Sequence, residues 1–175
     1  MNSFELNVWN DEATLCTFYT VQWEGVSDSE TDKFFSKYGN ENSKFCDETT
    51  ILYQLIEGPI GEKYGAIDEL FDRQKNYATA LPPKPKRSIP EVEELGINFP
   101  LRLYCLRISD SIVILFNGGI KDAQTDQESK DISLKFSEAQ SFAKRITEAL
   151  SDGMILISSD GKSLTDFNGL SEIIL

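Results

Sequence analysis

Arg102, Tyr104, Arg107 and Lys121 are the residues of this chain whose types and spacing could act on an anion. They fall within Leu101–Lys121, LRLYCLRISDSIVILFNGGIK, the most apolar stretch of the sequence. Two arginines and a lysine beside an apolar core suit a phosphate or an RNA backbone. The plainer reading is that the arginines are sheet-face residues whose stems lie along apolar neighbours. The chain has no histidine. That removes the usual general base, the imidazole metal ligand and any Ser-His or Cys-His dyad. There is no phosphate-cradling glycine loop and no CxxC pair. Chemistry here rests on lysine, arginine, tyrosine or carboxylates, and neither a metal nor a cofactor is expected. A second basic run, Lys84, Lys86 and Arg87, lies in LPPKPKR. Prolines at 82, 83, 85, 90 and 100 disfavour helix there. The run reads first as a surface linker and second as a mobile arm contacting RNA phosphates.

The elements that position these residues follow from periodicity. Leu101, Leu103 and Cys105 point one way and Arg102, Tyr104 and Leu106 the other. Ser109-Asp110-Ser111 is a break of hairpin length. The unbroken apolar run Ile112–Phe116 fits a strand covered on both faces, and Asn117-Gly118-Gly119 is expected to end it by taking positive φ. Arg102, Arg107 and Lys121 are then expected to lie near one another around this strand pair. Upstream, Phe4–Val8 and Leu15–Trp23 alternate as an N-terminal hairpin. Asp28 or Ser29 caps a helix to about Tyr38. A second helix starts at Asn42 or Ser43 and is expected to stop at Gly58-Pro59. A short helix is expected within 61–71, and one helical turn within Glu91–Glu94. Residues 122–131 read as a loop, followed by an amphipathic helix from Ser133 or Ser137 to Asp152-Gly153. Met154–Ile157 reads as a strand, and 163–175 as a last strand or tail.

These elements predict an α+β fold, with an N-terminal hairpin and helices packed on a twisted, mainly antiparallel sheet. At 175 residues one domain is the default. Within it, 1–76 is an acidic strand and helix part, 77–100 a proline-rich connection, and 101–175 a hairpin–helix–hairpin part. No stretch approaches the roughly 20 apolar residues of a membrane span, and the N-terminus lacks the features of an export signal. Three widely spaced cysteines in apolar settings fit reduced thiols and a cytoplasmic location. Net charge is −12, and it is uneven. Residues 1–76 carry 15 acids against 6 bases, the remainder 14 against 11. Such a chain repels nucleic acid at long range, so an RNA contact would be local and made by the C-terminal half.

From about Ala78 onward, LRLYCLRISDSIVILFNGGIK with the helix and closing strands after it resembles bacterial proteins placed as toxin-like partners of small helix-turn-helix regulators. More remotely it resembles the RelE/ParE (HigB-like) superfamily of type II toxin components. There an L-x-x-L-R strand leads into an apolar strand and then basic residues. Leu103–Arg107, Ile112–Phe116 and Lys121 stand in those places. The resemblance implies a RelE-like fold, a helix-turn-helix antitoxin partner, and ribosome-dependent mRNA cleavage without metal as one activity. It also implies Arg107 and Lys121 as the matching catalytic residues, with Arg102 and Tyr104 adjacent. A lysine acting as base must first lose its proton against an ordinary pKa of about 10.4; neighbouring cations would favour that. The chain is longer and more acidic than such toxins. The alternative on the same scaffold is a non-enzymatic, acidic protein-binding module.

Overall fold

The alternation read at the N-terminus becomes β1 (Phe4–Asn10) and β2 (Thr17–Trp23), an antiparallel pair with Phe4 opposite Trp23 and Leu6 opposite Val21. The computed structural model describes residues 2–175. Ser29 caps α1 (Glu30–Gly39), its hydroxyl accepting from the Asp32 amide at 3.1 Å. Then come α2 (Cys46–Leu55), β3 (Thr79–Leu81), the single turn α3 (Pro90–Glu93), β4 (Leu101–Ser109) and β5 (Ile112–Ile120). The 26-residue α4 (Asp126–Ser151) follows, then β6 (Ile155–Ile157), β7 (Leu164–Asp166) and β8 (Ile173–Ile174).

Six strands form one sheet in the order β3-β4-β5-β2-β1-β8, and β6 and β7 form a separate ribbon. All pairs in the large sheet are antiparallel except β2 with β5. The fold is α+β with a mainly antiparallel sheet, as the sequence predicts. The apolar run of β5 is central and buried on both faces, because only a strand covered twice can hide consecutive apolar side chains. One face packs on α1, α2 and the turn after them, through Phe18, Phe34, Leu52, Leu103 and Leu115. The other packs under α4, where Phe142 meets the rings of Phe4 and Phe116 at centroid distances of 4.9 and 5.5 Å. A polar cluster ties α1 to α4. The buried Glu30 carboxylate accepts from Lys33 at 2.6 Å, lies 3.6 Å from Lys135 on α4, and accepts from Asn117 at 3.4 Å.

Three boundaries differ from the sequence reading. Asn117-Gly118-Gly119 does not end the strand; β5 runs to Ile120, and neither glycine takes positive φ. Pro59 does not stop the second helix. Residues Ile56–Tyr64 continue it as a π-helix with Ile56, Ile60 and Gly61 buried. The wider π turn relieves the proline ring against the preceding carbonyls. Residues 126–131 are helix rather than loop. Thr125 caps the helix by accepting from the Glu128 amide at 3.1 Å, and Glu128 reaches back past the cap to accept from the Gln124 amide at 3.0 Å, so both bonds hold the first turn. Thr125→Ala is expected to cost about 1 kcal/mol in urea unfolding, and an unchanged midpoint would count against that cap. Among the described residues, no helix is long and apolar enough to cross a membrane.

Candidate functional site

Strand pairing brings Arg102, Tyr104 and Lys121 together. Arg102 and Tyr104 are two apart on β4 and share the face under α4. Arg102 lies opposite Gly119. Lys121, two residues on, is therefore its diagonal neighbour, at about 7–8 Å between backbones. The Lys121 amide donates to the Pro100 carbonyl at 2.7 Å and its Nζ to the Ile97 carbonyl at 3.2 Å. These three residues line one cavity of about 320 Å³. Its edge is β3, which pairs with β4 so that Ala80 faces Tyr104. Its roof is Phe136 of α4, whose ring meets Tyr104 edge-on at 5.5 Å.

The cavity is cationic. Arg73, Lys75, Lys84, Arg102 and Lys121 line it, against one carboxylate, Asp72. Arg102 is only 7% exposed. Its Nη1 donates to the carbonyls of Phe99 and Leu101 at 3.1 and 2.9 Å, which sets the direction of the guanidinium. Burial, with Arg73 nearby, pulls its pKa down to about 10, so it stays cationic at neutral pH. Burial pushes the Tyr104 phenol up, and Arg102 only partly opposes this, so the hydroxyl keeps its proton at neutral pH. Asp72 is partly buried, which alone would raise it. Hydrogen bonds from Lys86 Nζ and the Lys84 amide outweigh that and hold its carboxyl below the usual range. It is an ionised clamp and a weak base.

The two tightest glycine contacts of β5 shape the same corner. A Cβ on Gly118 would sit 1.8 Å from the Arg102 carbonyl oxygen, and one on Gly119 would meet Ile132 of α4 at 3.3 Å. The Asn-Gly-Gly run thus lets β4 and α4 approach closely, where the sequence reading took it for a strand end.

Arg107 is placed elsewhere. It lies opposite Val113 on the other face of the sheet, and its backbone is five residues along β4, about 16 Å, from Arg102. Its Nε donates to the Ala66 carbonyl, and its guanidinium pairs with Asp68 at 3.1 Å and with Asp110. It braces the β4–β5 turn against residues 66–68. It cannot be the cation beside Lys121 that the sequence reading expected. Both carboxylates are largely exposed, so the pairs add little. Arg107→Ala is expected to cost about 1 kcal/mol, chiefly through the carbonyl bond, and to leave anion binding in the cavity unchanged. Lost binding with an intact fold would reverse that assignment.

The basic run divides. Lys84 lines the cavity, Arg87 is exposed outside it, and Lys86 is engaged with Asp72 and the Glu69 carbonyl. The proline-rich segment is clamped rather than a free arm. Arg73 Nε donates to the Pro82 carbonyl at 2.7 Å, and Pro82 and Pro83 are buried. Sequence reasoning missed Arg73 and Lys75. Their signal was two bases in four residues, RQKN, at the end of an otherwise acidic half. Among the described residues, no group of carboxylates and cysteines is placed to hold a metal. No protein-family model matches the chain, and no curated protein or solved structure matches it.

Proposed function

We propose that the chain is the toxin-like component of a bacterial toxin–antitoxin pair, and that the cavity around Arg102, Tyr104 and Lys121 receives an RNA phosphate. One observation carries the reading. Five cationic side chains and a single, already paired carboxylate converge on one cavity in a chain of net charge −12. Local concentration of positive charge against the overall field marks a site for an anion. The volume lies at the lower end of small-ligand pockets, about 300–1,000 Å³, which suits one phosphate and its sugar. Of the residues that the RelE/ParE resemblance implies, Lys121, Arg102 and Tyr104 line the cavity, and Arg107, one of its two matching bases, does not.

In cleavage, the 2′-oxygen would attack the adjacent phosphorus. The bond to the 5′-oxygen would break, leaving a 2′,3′-cyclic phosphate and a 5′-hydroxyl. Arg102 would meet the charge growing on the non-bridging oxygens. Tyr104, protonated at neutral pH, would give its proton to the leaving 5′-oxygen. Lys121, exposed at the cavity mouth, would hold the phosphate by its charge, and the 2′-hydroxyl proton would pass to solvent water.

The second reading is a non-enzymatic binding module on the same scaffold. The state of Asp72 favours it: the carboxylate nearest the site is held by Lys86 and is a poor base. Message incubated in a translating extract with purified protein separates the two. The toxin reading expects cuts that need the ribosome, disappear with Lys121→Ala and persist with Arg107→Ala. Intact message with unimpaired translation at high protein concentration would rule out the activity and leave the binding module.

A further inference from the structure

The Ile97–Pro100 segment, whose Ile97 carbonyl accepts from Lys121, also borders a surface of opposite character. Two cavities, of about 380 and 350 Å³, adjoin through Ile51, Glu94 and Leu95 and form one trough between α2 and the turn that carries α3. Its floor is apolar. Ile51 and Leu55 stand four apart on α2, a spacing that makes a ridge against which another helix packs. Ile97, 70% exposed, extends the floor. Its rim is acidic, formed by Glu48, Glu91 and Glu94. Glu91 is already engaged by Lys63 and Tyr64. Glu94 has no ion-pair partner among the described residues. Glu48 has a buried oxygen, Oε2, with no hydrogen-bond partner. Buried polar atoms in folded proteins nearly always have one.

We propose that this trough docks a basic amphipathic helix of a partner protein. Its apolar side would lie on Ile51, Leu95 and Ile97, and a lysine or arginine would reach Glu48 and Glu94. Charge complementarity selects this occupant. An acidic rim repels nucleic acid and acidic peptides, an elongated apolar floor suits a helix-in-groove contact, and the carboxylates of Glu48 and Glu94, which face the trough without an ion pair among the described residues, attract cations. The site is separate from the cationic cavity and does not depend on the reading of that cavity as an RNA site.

The test uses the full chain and a helical peptide of leucines and lysines patterned so that the leucines share one face. Binding is read by fluorescence anisotropy. The peptide is expected to bind, and Glu94→Lys and Ile97→Ser are each expected to weaken it at least about tenfold. Both side chains are exposed, so folding survives the changes. Glu148→Lys, on α4 across the sheet, is expected to change affinity less than about twofold. A matching leucine–glutamate peptide is expected not to bind. The proposal is overturned if the first peptide fails to bind, if the acidic peptide binds equally, or if Glu148→Lys weakens binding as much as Glu94→Lys.

Discussion

Replacing Lys121 by alanine is expected to weaken binding of a short single-stranded RNA by about tenfold, and replacing Arg102 by about a hundredfold. The difference follows from burial. Lys121 is exposed and acts through a screened charge, and each 1.4 kcal/mol is a factor of ten in affinity. Arg102 is buried with its direction set by two carbonyls. A charge-assisted hydrogen bond from such a group is worth about 1.5–3 kcal/mol, and losing the positioned fork adds to that. Arg102→Lys keeps the charge without the fork and is expected to fall between wild type and Arg102→Ala. Removing either cation should also flatten the dependence of affinity on salt by about one phosphate contact. Isothermal titration at several salt concentrations measures both effects. If folded Lys121→Ala and Arg102→Lys proteins both bind as wild type does, the cavity is not where RNA binds.

Gly118→Ala is expected to destabilise the fold by about 3 kcal/mol or more, at the upper end of overpacking costs. The contact it would create is with the Arg102 carbonyl oxygen at 1.8 Å and its carbon at 2.8 Å. Both are backbone atoms of a paired strand, so relief requires β4 and β5 to separate beside the cavity. A domain of this kind holds only about 5–15 kcal/mol in total, so much of the variant would be unfolded or its cavity lost. Gly119→Ala is the control. Its new contacts, at 3.3 Å, are with Cβ and Cδ1 of Ile132 in the early turns of α4, which need give by only a few tenths of an ångström, and the expected cost is about 1 kcal/mol. Urea unfolding of the two variants should differ by about 2 kcal/mol or more. Equal stabilities would mean that the close approach of β4 and β5 is not what requires glycine.

Much of the fold was legible because burial follows period. Alternation in Phe4–Val8 and Leu101–Leu106 marked strands, and the unbroken Ile112–Phe116 run marked the central one. The start of α4 was missed, although a signal for it was present. Thr125-Asp126-Gln127-Glu128 carries the capping-box pattern, but its first turns are polar, and apolar periodicity alone places the start near Ser133. The π-helical passage through Pro59 was not legible, since it depends on tertiary burial of Ile56 and Ile60.

The site divides in the same way. Alternation already put Arg107 on the face of Cys105, away from Arg102 and Tyr104. The expectation that all three cations meet set that period aside. Arg73, Lys75 and Lys84 reach the cavity only because β3 pairs with β4 and Asp72 clamps the proline-rich segment. Those are long-range contacts that no local pattern encodes.

The most direct test of the cavity as a phosphate site is an amide NMR titration of the full chain with single-stranded RNA. Shifts are expected at Thr79, Arg102, Gly119 and Lys121, to saturate together, and to be absent at Arg107 and Ala66. Shifts confined to other surfaces, or none at saturating RNA, would contradict the account.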